Sequence, residues 1–140
     1  MIKLIVGKKG SGKTKALVEI INAAAKQATG NLVCVEKGMK LTFDIDHSVR
    51  LLDSEDYGIN SYETFDGFIA GLCAGNFDIT EIYTDGILRI GAKDNEKDLE
   101  GFGKLLARLD KLLTEQTSSD IIFTVSADED ELPESVKKYL

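Results

Sequence analysis

Short apolar runs alternate along the chain with longer stretches in which apolar residues recur every three or four positions. The short runs predict strands at residues 2–6, 32–35, 79–85 and 121–125. The periodic stretches predict helices at residues 13–28, 62–73 and 99–113. Because strands alternate with helices, we expect an α/β fold, with a mostly parallel sheet in a three-layer α/β/α sandwich.

Several element ends carry local signals. The first helix is expected to end near Gly30 and to turn an apolar stripe toward the sheet. That stripe is Leu17, Ile20, Ile21, Ala24 and Ala28. Asn60, with Glu63 three positions later, has the spacing of a capping box that opens the second helix. Pro133 suits the first turn of a short terminal helix. Segment 38–60 is irregular, and residues 48–52 are a candidate strand.

Composition and charge predict the number of domains, the kinds of binding partner and the cellular location. The 140 residues are 43% hydrophobic, which predicts a single domain over residues 1–140. A net charge of −7 disfavours nucleic acid and anionic membranes as partners. No apolar run has the length of a signal-peptide core or membrane span, so we expect a cytoplasmic protein. Cys34 and Cys73 are expected to be buried, reduced thiols, and the lone His47 a surface residue.

The chemistry of the sequence is concentrated in residues 7–14, which read Gly-Lys-Lys-Gly-Ser-Gly-Lys-Thr and match G-x-x-x-x-G-K-[ST]. The loop follows a predicted strand and precedes a predicted helix, as a phosphate-binding loop requires. Its glycines are expected to turn consecutive amide groups inward as an anion-binding nest. Candidate nucleotide ligands are all eight residues: Gly7, Lys8, Lys9, Gly10, Ser11, Gly12, Lys13 and Thr14. Lys13 is expected to reach the β- and γ-phosphates in a catalytic role, and Thr14 to bind Mg²⁺.

The loop resembles that of the P-loop NTPase superfamily. This resemblance implies a magnesium-binding carboxylate at the end of a hydrophobic strand, and Asp85 is the match. The alternative for Asp85 is a turn residue, since Asp-Gly pairs favour turns. In the ATPase branch of the superfamily, one strand separates the loop strand from the aspartate strand, whereas in the kinase and GTPase branch the two are adjacent. We expect the ATPase order, with residues 121–125 in between.

The sequence also departs from the superfamily pattern. Many P-loop ATPases place a glutamate directly after the aspartate, but here that position is Gly86. Glu36, at the end of the second predicted strand, is the candidate replacement as catalytic acid or base, or else a solvated loop residue. Ser126 is a weaker candidate γ-phosphate sensor. Lys8 has the position of a lysine that reaches across a dimer in one ATPase branch, or else is a solvated side chain.

These features predict Mg²⁺-dependent ATP binding with slow or partner-dependent hydrolysis. ATP is preferred because the Asn-Lys-x-Asp motif of GTP-binding proteins is absent. Two alternatives stay open: a small-molecule kinase acting on a nucleoside or nucleotide, and a non-hydrolysing nucleotide sensor that binds a protein partner. Arg50, Arg89 and Arg108 are interpreted as surface residues, although any of them has the chemistry of a charge-stabilising arginine finger. A homodimer or another protein partner is also left open.

Overall fold

A computed structural model describes residues 1–92, 94 and 96–140. The strands are β1 (Ile2–Gly7), β2 (Asn31–Glu36), β3 (Arg50–Asp53), β4 (Ile79–Asp85) and β5 (Asp120–Ser126). The α-helices are α1 (Lys13–Gln27), α2 (Tyr62–Gly75), α3 (Ile87–Ile90), α4 (Leu99–Glu115) and α5 (Glu134–Lys137). Two 3₁₀ turns lie at Ser54–Tyr57 and Glu129–Glu131.

The strands form one five-stranded sheet in the order β1-β5-β4-β2-β3, and every neighbouring pair is parallel. The last strand in sequence, β5, therefore lies between β1 and β4. All the carboxyl ends face the same edge of the sheet, which is where the loop after β1 and the residue Asp85 are found. The candidate strand at 48–52 is β3, at the opposite end of the sheet from β1.

Both faces of the sheet are buried, as the unbroken apolar runs predict. Along β2, Leu32 and Cys34 pack in a cluster with Leu17 and Ile21 of α1. The alternate residues of β2 pack in a second and larger cluster on the other face. That cluster includes Val33 and Val35 with residues of α2 and α4: Phe65, Ile69, Phe102, Leu105, Leu106 and Leu109. The α/β/α sandwich is thus confirmed.

An irregular segment, residues 37–49, packs beside α1 on the same face of the sheet. Residues 37–49 form turns and bends, and Leu41, Ile45 and Val49 from this segment join the α1 cluster. The Asn22 side chain of α1 fixes the segment by donating to the Asp44 carbonyl at 2.8 Å and accepting from the Asp46 amide at 2.8 Å. A turn-rich cover with its own apolar side chains therefore buries this part of the sheet.

Four details of the sequence-based prediction need correction. Ile20 is 43% exposed and Ala28 is exposed just beyond the end of α1, so both leave the predicted stripe, whereas Leu17 and Ile21 are buried and Ala24 is partly buried against them. Helix α2 is capped by Ser61 with Thr64 at the third helical position, one residue later than the Asn60–Glu63 spacing suggested. Pro133 is the N-cap of α5 and precedes its first turn. Helix α3 lies between the predicted strand at 79–85 and the predicted helix at 99–113, where the sequence pattern predicted no element.

Within the described residues, none of the helices combines the length and the apolar character that a membrane crossing requires. Cys34 and Cys73 are both free and buried, as predicted.

Candidate functional site

The glycine-rich loop links the end of β1 to the start of α1. Gly10 and Gly12 have φ angles of +82° and +89°, which place them in the left-handed region that other residues enter at a cost. Gly7 has no such angle. A Cβ atom at Gly7 would lie 2.4 Å from Ser11 Oγ, so a side chain at this position would have to displace the serine hydroxyl. We expected Gly7, Gly10 and Gly12 all to adopt dihedral angles that other residues resist, and this is wrong for Gly7.

The first turn of α1 is open toward the loop. Gly12 is its N-cap residue and offers no side-chain cap, and the turn contains no acidic residue. Its free amide groups therefore add to the positive end of the helix dipole, which is a favourable place for an anion. Lys13 is buried, and its Nζ donates to the Lys8 carbonyl oxygen at 2.9 Å. The ammonium group is thus held beside the loop.

Thr14 and Asp85 meet at the carboxyl edge of the sheet although 71 residues separate them in sequence. Thr14 Oγ1 lies 3.1 Å from Asp85 Oδ1 and 3.3 Å from Oδ2, and donates to this carboxylate. Asp85 is the last residue of β4 and is only 6% exposed. The hydroxyl and the carboxylate predicted as metal ligands are therefore neighbours.

Thr124 of β5 orients the Asp85 carboxylate. Its Oγ1 donates to Asp85 Oδ1 at 2.7 Å and accepts a hydrogen bond from the Gly86 amide, also at 2.7 Å. Thr124 is 2% exposed, so water does not readily compete for these two hydrogen bonds. Sequence reasoning missed this residue. The available signal was a polar residue inside a run of apolar ones, Ile121-Ile122-Phe123-Thr124-Val125.

Glu36 ends β2 in direct register with Asp85 on the neighbouring strand. It is 2% exposed, and its two carboxylate oxygens accept hydrogen bonds from the Lys40 amide at 3.2 Å and the Leu41 amide at 3.0 Å. Burial raises the pKa of this carboxyl group, and the two amides oppose that shift. The nearby carboxylates of Asp85 and Asp53 raise its pKa further. Glu36 is therefore a buried side chain, and the alternative of a solvated loop residue is wrong.

These residues surround one open cleft of about 710 Å³, which is within the usual size range of small-molecule sites. The loop and the start of α1 contribute Lys9, Gly10, Gly12, Lys13, Thr14 and Lys15. The other elements contribute Glu36, Lys40, Leu41, Asp85, Gly86, Arg89, Thr124 and Ser126. Gly7, Lys8 and Ser11 belong to the loop but do not line the cleft. The position, outside the carboxyl ends of parallel strands, is where open α/β sheets bind ligands.

Comparison with known proteins supports the same architecture. The pCW3 conjugation coupling protein TcpA, solved in a monomeric form with ATPγS, aligns with 99% of this chain at a TM-score of 0.51. The chain has a P-loop NTPase-like fold. At 15% identity the likeness concerns the fold alone, and the chain spans 46% of the length of that protein. No protein-family model and no curated protein sequence matches the chain.

The charge of the cleft is opposite in sign to the net charge of the whole chain. Five cationic side chains line it, those of Lys9, Lys13, Lys15, Lys40 and Arg89. They face two carboxylates, Glu36 and Asp85. The cleft therefore suits a polyanionic ligand even though the net charge of the protein is −7.

Lys8 is directed elsewhere. Its Nζ lies 3.3 Å from Asp128 Oδ2 in an exposed ion pair on the far side of the loop. A surface ion pair of this kind contributes little to stability. Within the chain itself, Lys8 is thus paired with Asp128 and lies outside the cleft.

Thr14 and Asp85 offer oxygen donors of the kind that Mg²⁺ prefers. The described part of the chain contains no group of three or more histidine, cysteine or carboxylate side chains that could hold a metal ion. Mg²⁺ is commonly held by one or two protein oxygens together with substrate phosphates and water, so such a group is not required. The Thr14 hydroxyl and the Asp85 carboxylate, 3.1 Å apart, fit that kind of site.

Proposed function

We propose that this chain binds ATP together with Mg²⁺ in the cleft and hydrolyses it slowly, or at a rate set by a partner. The observation that carries the proposal is the meeting of Thr14, at the start of α1, with Asp85 at the end of β4. A glycine turn that merely joins a strand to a helix has no need of this distant carboxylate beside the loop.

Each part of the loop has a role in holding the phosphates. The amides near Gly10 and Gly12 and the open first turn of α1 would bind phosphate oxygens by hydrogen bonds and by the helix dipole. The Lys13 ammonium would pair with the β- and γ-phosphates. Thr14 and Asp85 would hold Mg²⁺, which neutralises phosphate charge when it is bound.

Glu36 is the candidate base for hydrolysis. Besides Asp85 it is the other carboxylate among the described residues that line the cleft. In the reaction, the oxygen of a water molecule forms a bond to the γ-phosphorus and the bond to the β–γ bridging oxygen breaks. Glu36 would accept the proton released by that water. Because its oxygens are engaged by the Lys40 and Leu41 amides, we expect slow turnover until the 37–49 segment rearranges.

The strand order favours an ATPase over a kinase. β5 lies between β1 and β4, which is the arrangement that the ATPase branch of the superfamily has and the kinase and GTPase branch lacks. The ATPγS bound to the TcpA structure supports an adenine nucleotide as the ligand.

The test uses nucleotide-dependent thermal stabilisation and product analysis. ATP with Mg²⁺ should raise the Tm of the wild-type protein, because a ligand that binds only the folded state stabilises it. Lys13→Ala should remove that shift. Lys26→Ala, an exposed lysine in the last turn of the same helix, is the matched control and should keep it. An unchanged ATP-dependent shift in Lys13→Ala, with the fold intact by circular dichroism, would contradict the assignment.

Labelled ATP then separates the possible reactions. Free phosphate that depends on Mg²⁺ and disappears in Glu36→Gln supports hydrolysis with Glu36 as the base. Label transferred to a compound in an added metabolite pool would indicate a kinase.

A nucleotide sensor is the second candidate, and a specific observation favours it. No glutamate follows Asp85, and Glu36 is held by two backbone amides. Tight Mg²⁺–ATP binding without any turnover over many hours would support this candidate over the ATPase.

A further inference from the structure

Arg89 lies at the edge of the cleft on the short helix α3. Its helical neighbours Ile87, Leu88 and Ile90 are all buried, whereas Arg89 is exposed and lines the cleft. The three apolar side chains anchor the helix in the core and leave the arginine pointing away from it. Its backbone is therefore fixed by packing while its guanidinium group is available to the cleft.

The guanidinium group lies against the residue that follows Asp85. A Cβ atom at Gly86 would stand 2.6 Å from Arg89 Nη2 and 2.9 Å from Nε, closer than real contacts allow. Gly86 also has a φ angle of +74°, where other residues are strained. Any side chain at position 86 would thus displace the arginine. The arginine can occupy this place because position 86 is a glycine and not the glutamate found in many P-loop ATPases.

Arg89 has no partner among the described residues that would account for its position. Arg108 forms an ion pair with Asp66 at 3.3 Å, and Arg50 donates to the Tyr57 hydroxyl at 3.2 Å. In the described ranges, the guanidinium of Arg89 takes part in no ion pair or hydrogen bond of this kind. Its planar donors match phosphate oxygens in geometry and charge.

We propose that Arg89 binds the γ-phosphate of ATP and acts in cis as the charge-stabilising arginine of this site. The inference rests on the proposed function. The loop and α1 hold the phosphate chain from one end, and Thr14 with Asp85 marks the β–γ region. Arg89, beyond Asp85 and against Gly86, is placed to contact the γ-phosphate oxygens. There it stabilises the negative charge that phosphoryl transfer redistributes.

The experiment compares the affinities for ATP and ADP, since only ATP has the γ-phosphate. Dissociation constants with Mg²⁺ are measured by calorimetry for wild type, Arg89→Ala, Arg89→Lys and the control Arg108→Ala. Arg89→Ala should lower the preference for ATP over ADP by roughly tenfold or more, since an arginine–phosphate pair is a strong charge-assisted contact. ADP affinity should stay within about twofold of wild type in every variant if Arg89 contacts only the γ-phosphate. Arg89→Lys should recover part of the preference, and Arg108→Ala should leave it unchanged.

The outcomes distinguish this inference from the proposed function. If the wild-type protein prefers ATP and Arg89→Ala keeps that preference, the role of Arg89 is overturned while nucleotide binding stands. Equal wild-type affinities for ATP and ADP would overturn the inference in the same way. If the wild-type protein binds neither nucleotide, the proposed function itself is wrong and the inference goes with it.

Discussion

At the scale of single residues, the candidate site depends on one threonine. The Thr124 hydroxyl both accepts from the Gly86 amide and donates to Asp85, so it fixes the turn after β4 and the carboxylate in front of it. A carboxylate held in this way is oriented before any ligand arrives. Such supporting contacts commonly influence metal affinity as strongly as some ligands do.

Thr124→Val tests this role because valine has nearly the same shape and lacks the hydroxyl. It would leave the Gly86 amide without a partner and remove one of the two hydrogen bonds that Asp85 Oδ1 accepts, which should lower the free energy of unfolding by about 1–3 kcal/mol. The Mg²⁺ concentration needed for half-maximal ATP binding should rise. Urea denaturation and a Mg²⁺ titration measure the two effects, and Thr124→Ser should be close to wild type in both. If Thr124→Val needs the same Mg²⁺ concentration as the wild-type protein, Thr124 does not support Mg²⁺ binding.

The two cysteines should be chemically silent in the folded protein. Burial, with the nearby charges of Glu36 and Asp85, raises the pKa of Cys34 to about 12, and burial also raises the pKa of Cys73. Since the thiolate is the reactive form, iodoacetamide at pH 8 should leave both thiols unmodified in native protein. Mass spectrometry should detect alkylation of both only when urea is present. Rapid modification of Cys34 in the absence of denaturant would show that its surroundings open readily.

At the scale of elements, the start of α2 shows what local sequence rules can and cannot decide. Asn60–Glu63 and Ser61–Thr64 both satisfy the spacing of a capping box. In the fold, Ser61 Oγ accepts from the Thr64 amide at 3.0 Å, and Thr64 Oγ1 accepts from the Ser61 amide at 3.0 Å. The choice between the two depends on which residues of the helix face the core, and that is a tertiary property.

Ser61→Ala should therefore destabilise the protein by about 0.5–2 kcal/mol, the usual cost of losing an N-cap side chain. Asn60→Ala is the matched comparison and should cost less, because the contact at this position comes from its backbone amide. Chemical denaturation of both variants measures the difference. An equal or larger loss for Asn60→Ala would favour the original capping prediction.

Helix α3 and the 37–49 segment could not be predicted from the sequence pattern, for physical reasons. Helix α3 has four residues, too few for a 3.6-residue period to appear or for a helix to persist without tertiary packing. As a result, the sequence pattern correctly predicts that Arg89 is exposed but carries no signal that it lines the cleft. The 37–49 segment has no regular period either, and its burial depends on contacts with α1.

At the scale of the whole molecule, the alternation of strands and helices sufficed to predict the sandwich, because each pattern has its own period. The strand order did not follow from periodicity, and its expectation rested on the resemblance of one loop to a superfamily. The net charge of −7 did not predict the charge of the cleft, because basic side chains are concentrated there. Glu36 and Asp85 were both selected from their places at strand ends, and the parallel register brings them side by side.

The larger core cluster should dominate global stability. Phe102 of α4 is fully buried, with its ring 5.7 Å from that of Phe123 in an edge-to-face arrangement. Phe102→Ala should lower the free energy of unfolding by about 3–5 kcal/mol through lost burial and the cavity left behind. Phe77→Ala removes the same atoms from a side chain that is 90% exposed, and should change stability by less than about 0.5 kcal/mol. Similar losses in the two variants, measured by urea denaturation, would be inconsistent with this core.

The pairing of β1 with β5 has a consequence for how the protein is made. β1 is at the end of the sheet, and its hydrogen-bonded neighbour there is β5, which follows the other four strands of this sheet in the sequence. During translation the glycine-rich loop is made before the other strands of the sheet, but β1 has no neighbour to pair with until residues 120–126 follow. A nascent chain that stops at residue 115 holds the entire loop and Asp85, yet it lacks Thr124 and any strand to fix β1. Because such a long-range contact forms late, the proposed nucleotide binding should begin only after residues 120–126 have been synthesised and have paired with β1.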